Sequence, residues 1–159
     1  MSDVEPTPDD TVAPEAAAVP DANAVDFRVM SVGSVLFDLA NPSPQVHLME
    51  EEPPYRHLSI CIALTEAQAL QNALEGIEGR RPGTHELASA IIRRLQADII
   101  AVRIVRHENG IFYAELDLMT PRGREQFDCR TSDALILATR QSVPAPILCA
   151  DEVLQSFYS

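Results

Sequence analysis

Ile99-Ile100-Ala101-Val102-Arg103-Ile104-Val105-Arg106-His107-Glu108-Asn109-Gly110-Ile111-Phe112-Tyr113-Ala114-Glu115-Leu116-Asp117-Leu118-Met119 is two alternating apolar runs on either side of an Asn-Gly pair. Asn-Gly is the strongest short hairpin signal because both residues tolerate the positive φ that a tight two-residue turn requires. The stretch predicts two paired strands, over residues 99–106 and 111–119. Upstream of it the period changes. Leu87, Ala90, Ile91 and Leu95 make a helical stripe that Thr84 can cap, with Arg93 and Arg94 in the last turns, where cations suit the dipole. Before that, Thr65-x-x-Gln68 matches a capping box, and Ala67, Leu70, Leu74 and Ile77 continue at helical spacing, predicting a helix over residues 66–75.

Further out, residues 27–37 and 45–50 read as a strand pair around Asn41-Pro42-Ser43-Pro44. A third strand sets Leu58, Ile60 and Ile62 against His57, Ser59 and Cys61. Downstream of the hairpin, residues 125–128 predict a short strand. Thr131 or Ser132 should cap a helix in which Ala134, Leu135, Ile136, Leu137 and Ala138 are apolar nearly all round, so that helix should be central and buried on several sides. After Val143-Pro144-Ala145-Pro146 come a short apolar piece, residues 147–149, and a last helix opened by Asp151 and Glu152. Hairpins mixed with paired helices, without strict strand-helix alternation, predict a single α+β domain with a mixed or largely antiparallel sheet. A doubly wound parallel sheet is not expected, and no repeat of solenoid period is visible.

At 159 residues the chain suits one core. Residues 1–26 hold Asp3, Glu5, Asp9, Asp10, Glu15, Asp21 and Asp26 among Pro and Ala, with no base and no apolar periodicity. They read as a disordered acidic tail, with the folded part over residues 27–159. No apolar run reaches the roughly 18 residues of a membrane span, and no secretory signal pattern stands at the amino terminus, so a soluble cytoplasmic protein is the expectation. Cys61, Cys129 and Cys149 lack disulfide or zinc spacing and read as small packing residues. The net charge is −12, and all 12 basic side chains are Arg, so any phosphate contact falls to a guanidinium.

Charge and hydroxyls gather in two strings, Arg81-Pro82-Gly83-Thr84-His85-Glu86-Leu87 and Asp128-Cys129-Arg130-Thr131-Ser132-Asp133-Ala134, each just ahead of an apolar helix. A helix start offers unpaired N–H groups and a positive dipole end, which suits an anion. These strings, with Leu58-Ser59-Ile60-Cys61-Ile62-Ala63, Glu66-Ala67, Gly110-Ile111-Phe112-Tyr113-Ala114 and Val143-Pro144 in the same order and spacing, resemble the bifunctional nuclease family from about Phe27 to Leu154. The chain departs from that pattern at Ala63, where the family usually has Gly, and at Thr131, in place of a Pro. The resemblance implies a metal-dependent nuclease acting on DNA or RNA, assembled as a homo-oligomer.

Phosphodiester hydrolysis needs a positioned water, neutralisation of phosphoryl charge and usually a divalent cation. Glu66, Glu86, Asp128 and Asp133 are the candidate ligands for Mg²⁺ or Mn²⁺. Arg81 and Arg130, positioned by Thr84 and Ser132, are the candidate phosphate contacts. His85 is the candidate acid or base, with Glu66 and Asp133 beside it. Glu66, Glu86 and Asp133 each fall in a predicted first helical turn, where a carboxylate gains about 0.3–1 kcal/mol from the dipole without any ligand, and Arg130 between Asp128 and Asp133 also suits a structural ion-pair network. His47, His57 and His107 have no partner spacing and read as surface residues.

A chain at −12 repels nucleic acid, and no basic stripe appears; this favours the alternative of a non-catalytic oligomeric module that binds a small anion or a protein. Against that, much of the negative charge lies in the expected tail, and a cation can bridge acid to phosphate. Strands 99–105 and 111–119, read as apolar on both faces, add to the expectation of self-association. Convergence of Glu66, His85, Asp128 and Asp133 on one open cleft favours catalysis; scatter into separate caps favours the binding module.

Overall fold

The structure, a computed structural model, describes residues 24–38, 40 and 42–158. All but the last three residues of the expected tail over residues 1–26 lie outside the described residues. The elements run β1 (Phe27–Leu36), β2 (Gln45–Glu50), β3 (His57–Cys61), α1 (Leu64–Leu74), α2 (Thr84–Arg94), β4 (Asp98–Glu108), β5 (Ile111–Thr120), β6 (Gly123–Arg130), α3 (Thr131–Thr139), β7 (Ile147–Ala150) and α4 (Asp151–Tyr158). Asn109 and Gly110 form the two-residue turn between β4 and β5 with φ of 51° and 79°, the pair of positive values that a type I′ turn needs.

Seven strands form one sheet in the order β3-β2-β1-β7-β4-β5-β6. Two antiparallel meanders, β1-β2-β3 and β4-β5-β6, are joined by β7, which pairs antiparallel with β1 and parallel with β4. The fold is therefore α+β with a mixed sheet. The short apolar piece near residue 147 is thus a strand in the middle of the sheet. With only four residues it carries no readable period, and its partners lie in both meanders.

Helix α3 explains its own composition. Leu135 and Ile136 enter a core with Leu48 and Leu58 of the first meander, Leu70 of α1 and Leu154 of α4. Ala134, Leu137 and Ala138 enter a second core with Val102, Leu116 and Leu118 of the second meander. A helix that serves two cores has no polar face to spare, as its sequence predicts.

The second meander corrects one expectation. Leu116 faces the second core, but Asp117, next along β5, is only 1% exposed and accepts hydrogen bonds from Arg103 at 2.8 and 2.9 Å, Arg124 at 2.5 Å and Gln126 at 3.1 Å. The face turned from α3 is thus laced with charge, not apolar. No helix among the described residues is long and apolar enough to cross a membrane.

Candidate nucleic-acid cleft at three helix starts

Three helices begin alike. Each is entered from an extended residue, Ala63, Gly83 or Arg130, and each carries an acid at its third position: Glu66, Glu86 and Asp133. In α1 the acid reaches back, and the Ala63 N–H donates to Glu66 Oε2 at 3.0 Å. In α2 the Gly83 N–H donates to Glu86 Oε2 in the same way. Asp133 is one methylene shorter, a length that does not suit the reach back to the cap. It turns outward instead.

The expected caps therefore shift. Thr84 and Thr131 are the first residues of their helices, not the caps before them, and Ser132 is the second. Thr131 Oγ1 donates to the Phe112 carbonyl at 3.2 Å. The Thr65/Gln68 box is replaced by the Glu66 cap, and Gln68 bonds Asn72 at 3.1 Å. At α1 and α2 it is the acid at the third position that closes the cap, not a hydroxyl.

Asp133 joins two of the starts. His85 Nε2 lies 2.8 Å from Asp133 Oδ1, across 48 residues of sequence, and Arg130 clamps the same carboxylate through Nε at 2.7 Å and Nη2 at 3.1 Å. Arg130 Nη1 also pairs with Glu66 Oε1, which ties in the third start. Burial works against charge on Asp133, but the hydrogen bonds from Arg130 and His85 prevail and hold its pKa below the usual Asp value. Arg130 is pushed the other way, upward, first by its hydrogen bond to Asp133. The Gly83 N–H, aided by Arg140, holds Glu86 below the ordinary Glu value.

These groups line one cleft of about 530 Å³ that includes Glu66, Arg81, Thr84, His85, Glu86, Arg130, Asp133 and Arg140. Its acids, Glu66, Glu86 and Asp133, are matched by Arg81, Arg130 and Arg140, so the cleft escapes the negative excess of the chain. Arg140, unremarked in the sequence, pairs with Glu86 at 3.3 Å. The only signal for it was a lone charge closing an apolar helix.

Two predicted site residues fall elsewhere. Ser132 is buried and faces an adjoining cavity of about 420 Å³, which shares Ala63, Glu66 and Arg130 with the cleft. Asp128 lies on exposed β6, paired with Glu115 of β5, and is not part of the cleft lining. Among the described residues no three His, Cys, Asp or Glu side chains come close enough to hold a metal ion. The set Glu66, Glu86, Asp128 and Asp133 does not fit a cation as placed: two of its members cap helices, one is clamped by Arg130, and one lies outside the cleft.

The cysteines stay out of the chemistry. Burial pushes Cys129 up to about 11 and Cys149 up to about 12, which leaves both as thiols. Cys61, expected to pack, is exposed.

A family model, the bifunctional nuclease domain, matches residues 46–158. The chain belongs to that family. The match begins within β2, after β1, although β1 is an integral strand of the sheet. Two uncharacterized proteins of Mycobacterium tuberculosis, MT1877 and Rv1829 from different strains, are each 37% identical over 99 residues, covering 62% of this chain and 58% of the relative. The chain thus spans somewhat over half the length of these two relatives.

Proposed function

We propose that this bifunctional nuclease domain cleaves phosphodiester bonds in nucleic acid at the cleft between the starts of α1, α2 and α3. The observation that carries the reading is the His85–Asp133–Arg130 contact, since a proton-transfer group, its orienting carboxylate and a phosphate-binding guanidinium meet in an open site. Asp133 holds His85 Nε2, which leaves Nδ1 for the reacting oxygen. Arg130 is 68% exposed on its side chain and extends toward solvent while Glu66 and Asp133 fix it, so it can take a phosphate oxygen without a large ordering cost. Arg81, which forms no salt bridge among the described residues, supplies a second guanidinium, and Thr84 a hydroxyl.

The test is a cleavage assay on highly purified protein with single-stranded RNA and DNA, with and without chelator, run beside Asp133→Ala. Activity lost in Asp133→Ala supports the assignment; equal activity in wild type and variant marks a contaminant and ends it. Cleavage that stops in chelator shows a cation requirement that Glu66, Glu86 and Asp133 do not meet as placed. Cleavage that persists assigns the chemistry to the side chains. The absence of cleavage under all conditions returns the cleft to the alternative reading, an anion- or protein-binding module, for which the mutual neutralisation of Glu66, Arg130 and Asp133 is the favouring observation.

A further inference from the structure

The cavity of about 420 Å³ beside the cleft has apolar walls and one idle hydroxyl. Its lining joins Ile60 and Ile62, at the end of β3 and just beyond it, to Ile111 and Phe112 at the start of β5 and to Ser132 in the first turn of α3. Ser132 is only 4% exposed, yet its hydroxyl makes no hydrogen bond among the described residues. A buried hydroxyl left unpaired is costly to the fold, and a polar ligand in the cavity relieves that cost. Thr131 is not such a group, because its hydroxyl is already spent on the Phe112 carbonyl. No side chain caps the start of α3, whereas acids close α1 and α2, so first-turn N–H groups of α3 remain as donors beside Ser132.

We propose that this cavity binds one unpaired nucleobase of a single-stranded nucleic acid, with Ser132 Oγ on the base edge and Arg130 on the adjoining phosphate. The inference rests on the cleavage reading of the neighbouring cleft, with which the cavity shares Ala63, Glu66 and Arg130. A nucleobase is what this lining suits. Its flat faces pack on apolar side chains such as Ile60, Ile62 and Ile111, while its edge carries donors and acceptors that a hydroxyl, being both, can match. A phosphate alone would use the helix start and leave those walls uncovered. The volume falls within the range of about 300–1,000 Å³ usual for small-ligand sites. A base held there has left the duplex stack, so the strand that supplies it is single or locally opened.

Amide NMR titration of the full chain with the four ribonucleoside 5′-monophosphates and with ribose 5-phosphate tests it, since none of these probes holds a phosphodiester to cleave. At least one nucleotide is expected to bind about tenfold or more tighter than ribose 5-phosphate, with shifts at Ile111, Phe112 and Ser132. Ser132→Ala should remove most of that difference with an unchanged circular-dichroism melt, because its hydroxyl has no protein partner to lose. Ile111→Ala, at a residue that is 56% exposed, should weaken the same nucleotide by about threefold or more. Equal affinity for nucleotide and ribose 5-phosphate, binding of neither, or a nucleotide preference that Ser132→Ala leaves intact would each overturn the proposal. Failure of the cleavage reading is seen separately: a base preference in a protein that cleaves nothing supports the base site and ends the cleavage reading alone.

Discussion

Two ion-pair networks in this molecule are built from nearly the same parts and do different work. Glu50, at the end of β2, takes Arg28 Nε at 2.5 Å, and Arg56 binds it through Nε, Nη2 and its backbone N–H at 3.0 Å each; Arg56 also reaches Asp151 at 2.6 Å. Asp133 takes Arg130 and His85, and Arg130 reaches Glu66. Each network has two acids and two cationic or protonatable groups, and each ties a helix start to a distant segment. They differ in access to water. The Glu50 side chain is 0% exposed and every oxygen is used, so the first network is a rivet between β1, β2 and α4. Arg130 is mostly exposed and the second network borders an open cleft, so its unused N–H groups remain available to a ligand. Residue type does not separate a structural pair from a binding site; solvent access does.

The difference between the two networks is largest at Glu50. Glu50→Gln takes from part-buried Arg28 its counter-charge and leaves Arg56 with Asp151 alone, and is expected to cost about 3–5 kcal/mol, a fall in Tm on the order of 10 °C by calorimetry. A melt within a degree of wild type would show that the rivet is not structural. Asp133→Asn and Arg130→Gln are expected to behave oppositely, with stability changed by about 1 kcal/mol or less and cleavage reduced by about 100-fold or more in a kinetic assay. Unfolding of either variant would place the second network in the same class as the first.

Acid should distinguish the two networks as well. The Arg56 hydrogen bond, acting against burial, lowers Glu50 from 4.5 to about 2. A carboxylate depressed in the folded state contributes stability that is fully present above its unfolded pKa and is lost as pH falls through the folded value. Wild type should therefore lose stability between pH 4.5 and about 2, followed by circular dichroism in urea, and Glu50→Gln should show a flatter profile over that window. Asp133→Asn should alter the profile less, because Asp133 is part-exposed and already weakened by burial. The smallest effect belongs to Arg122, 88% exposed and 3.6 Å from Glu125: Arg122→Ala should shift stability by about 0.5 kcal/mol or less in a denaturant titration.

Much of this was legible from local chemistry. Asn109-Gly110 demanded a tight turn, alternation placed β1 to β5, helical spacing placed α1 and α2, and the all-apolar run from Ala134 to Ala138 demanded a helix with no free side. Those signals act over a few residues, through φ preferences and side-chain periodicity, and so they survive in the sequence. The strings around Thr84 and Thr131 were also visible as polar helix starts, and Arg81, Thr84, His85, Glu86, Arg130 and Asp133 do line one cleft.

What the tertiary structure decided is who meets whom. The insertion of β7 between two meanders, the burial of Glu50, the removal of Asp128 to an exposed strand and the bond between His85 and Asp133 all depend on packing between segments far apart in sequence. The choice of cap was likewise unreadable, because whether Glu66 or Thr65 satisfies a helix start turns on a single residue of entry into the helix. Sequence determined the chemical inventory and the local elements, since both follow from the residues themselves. The cleft exists because α3, apolar on nearly every side but that of Asp133, is held by two cores at once, and that packing is what brings three separate helix starts together.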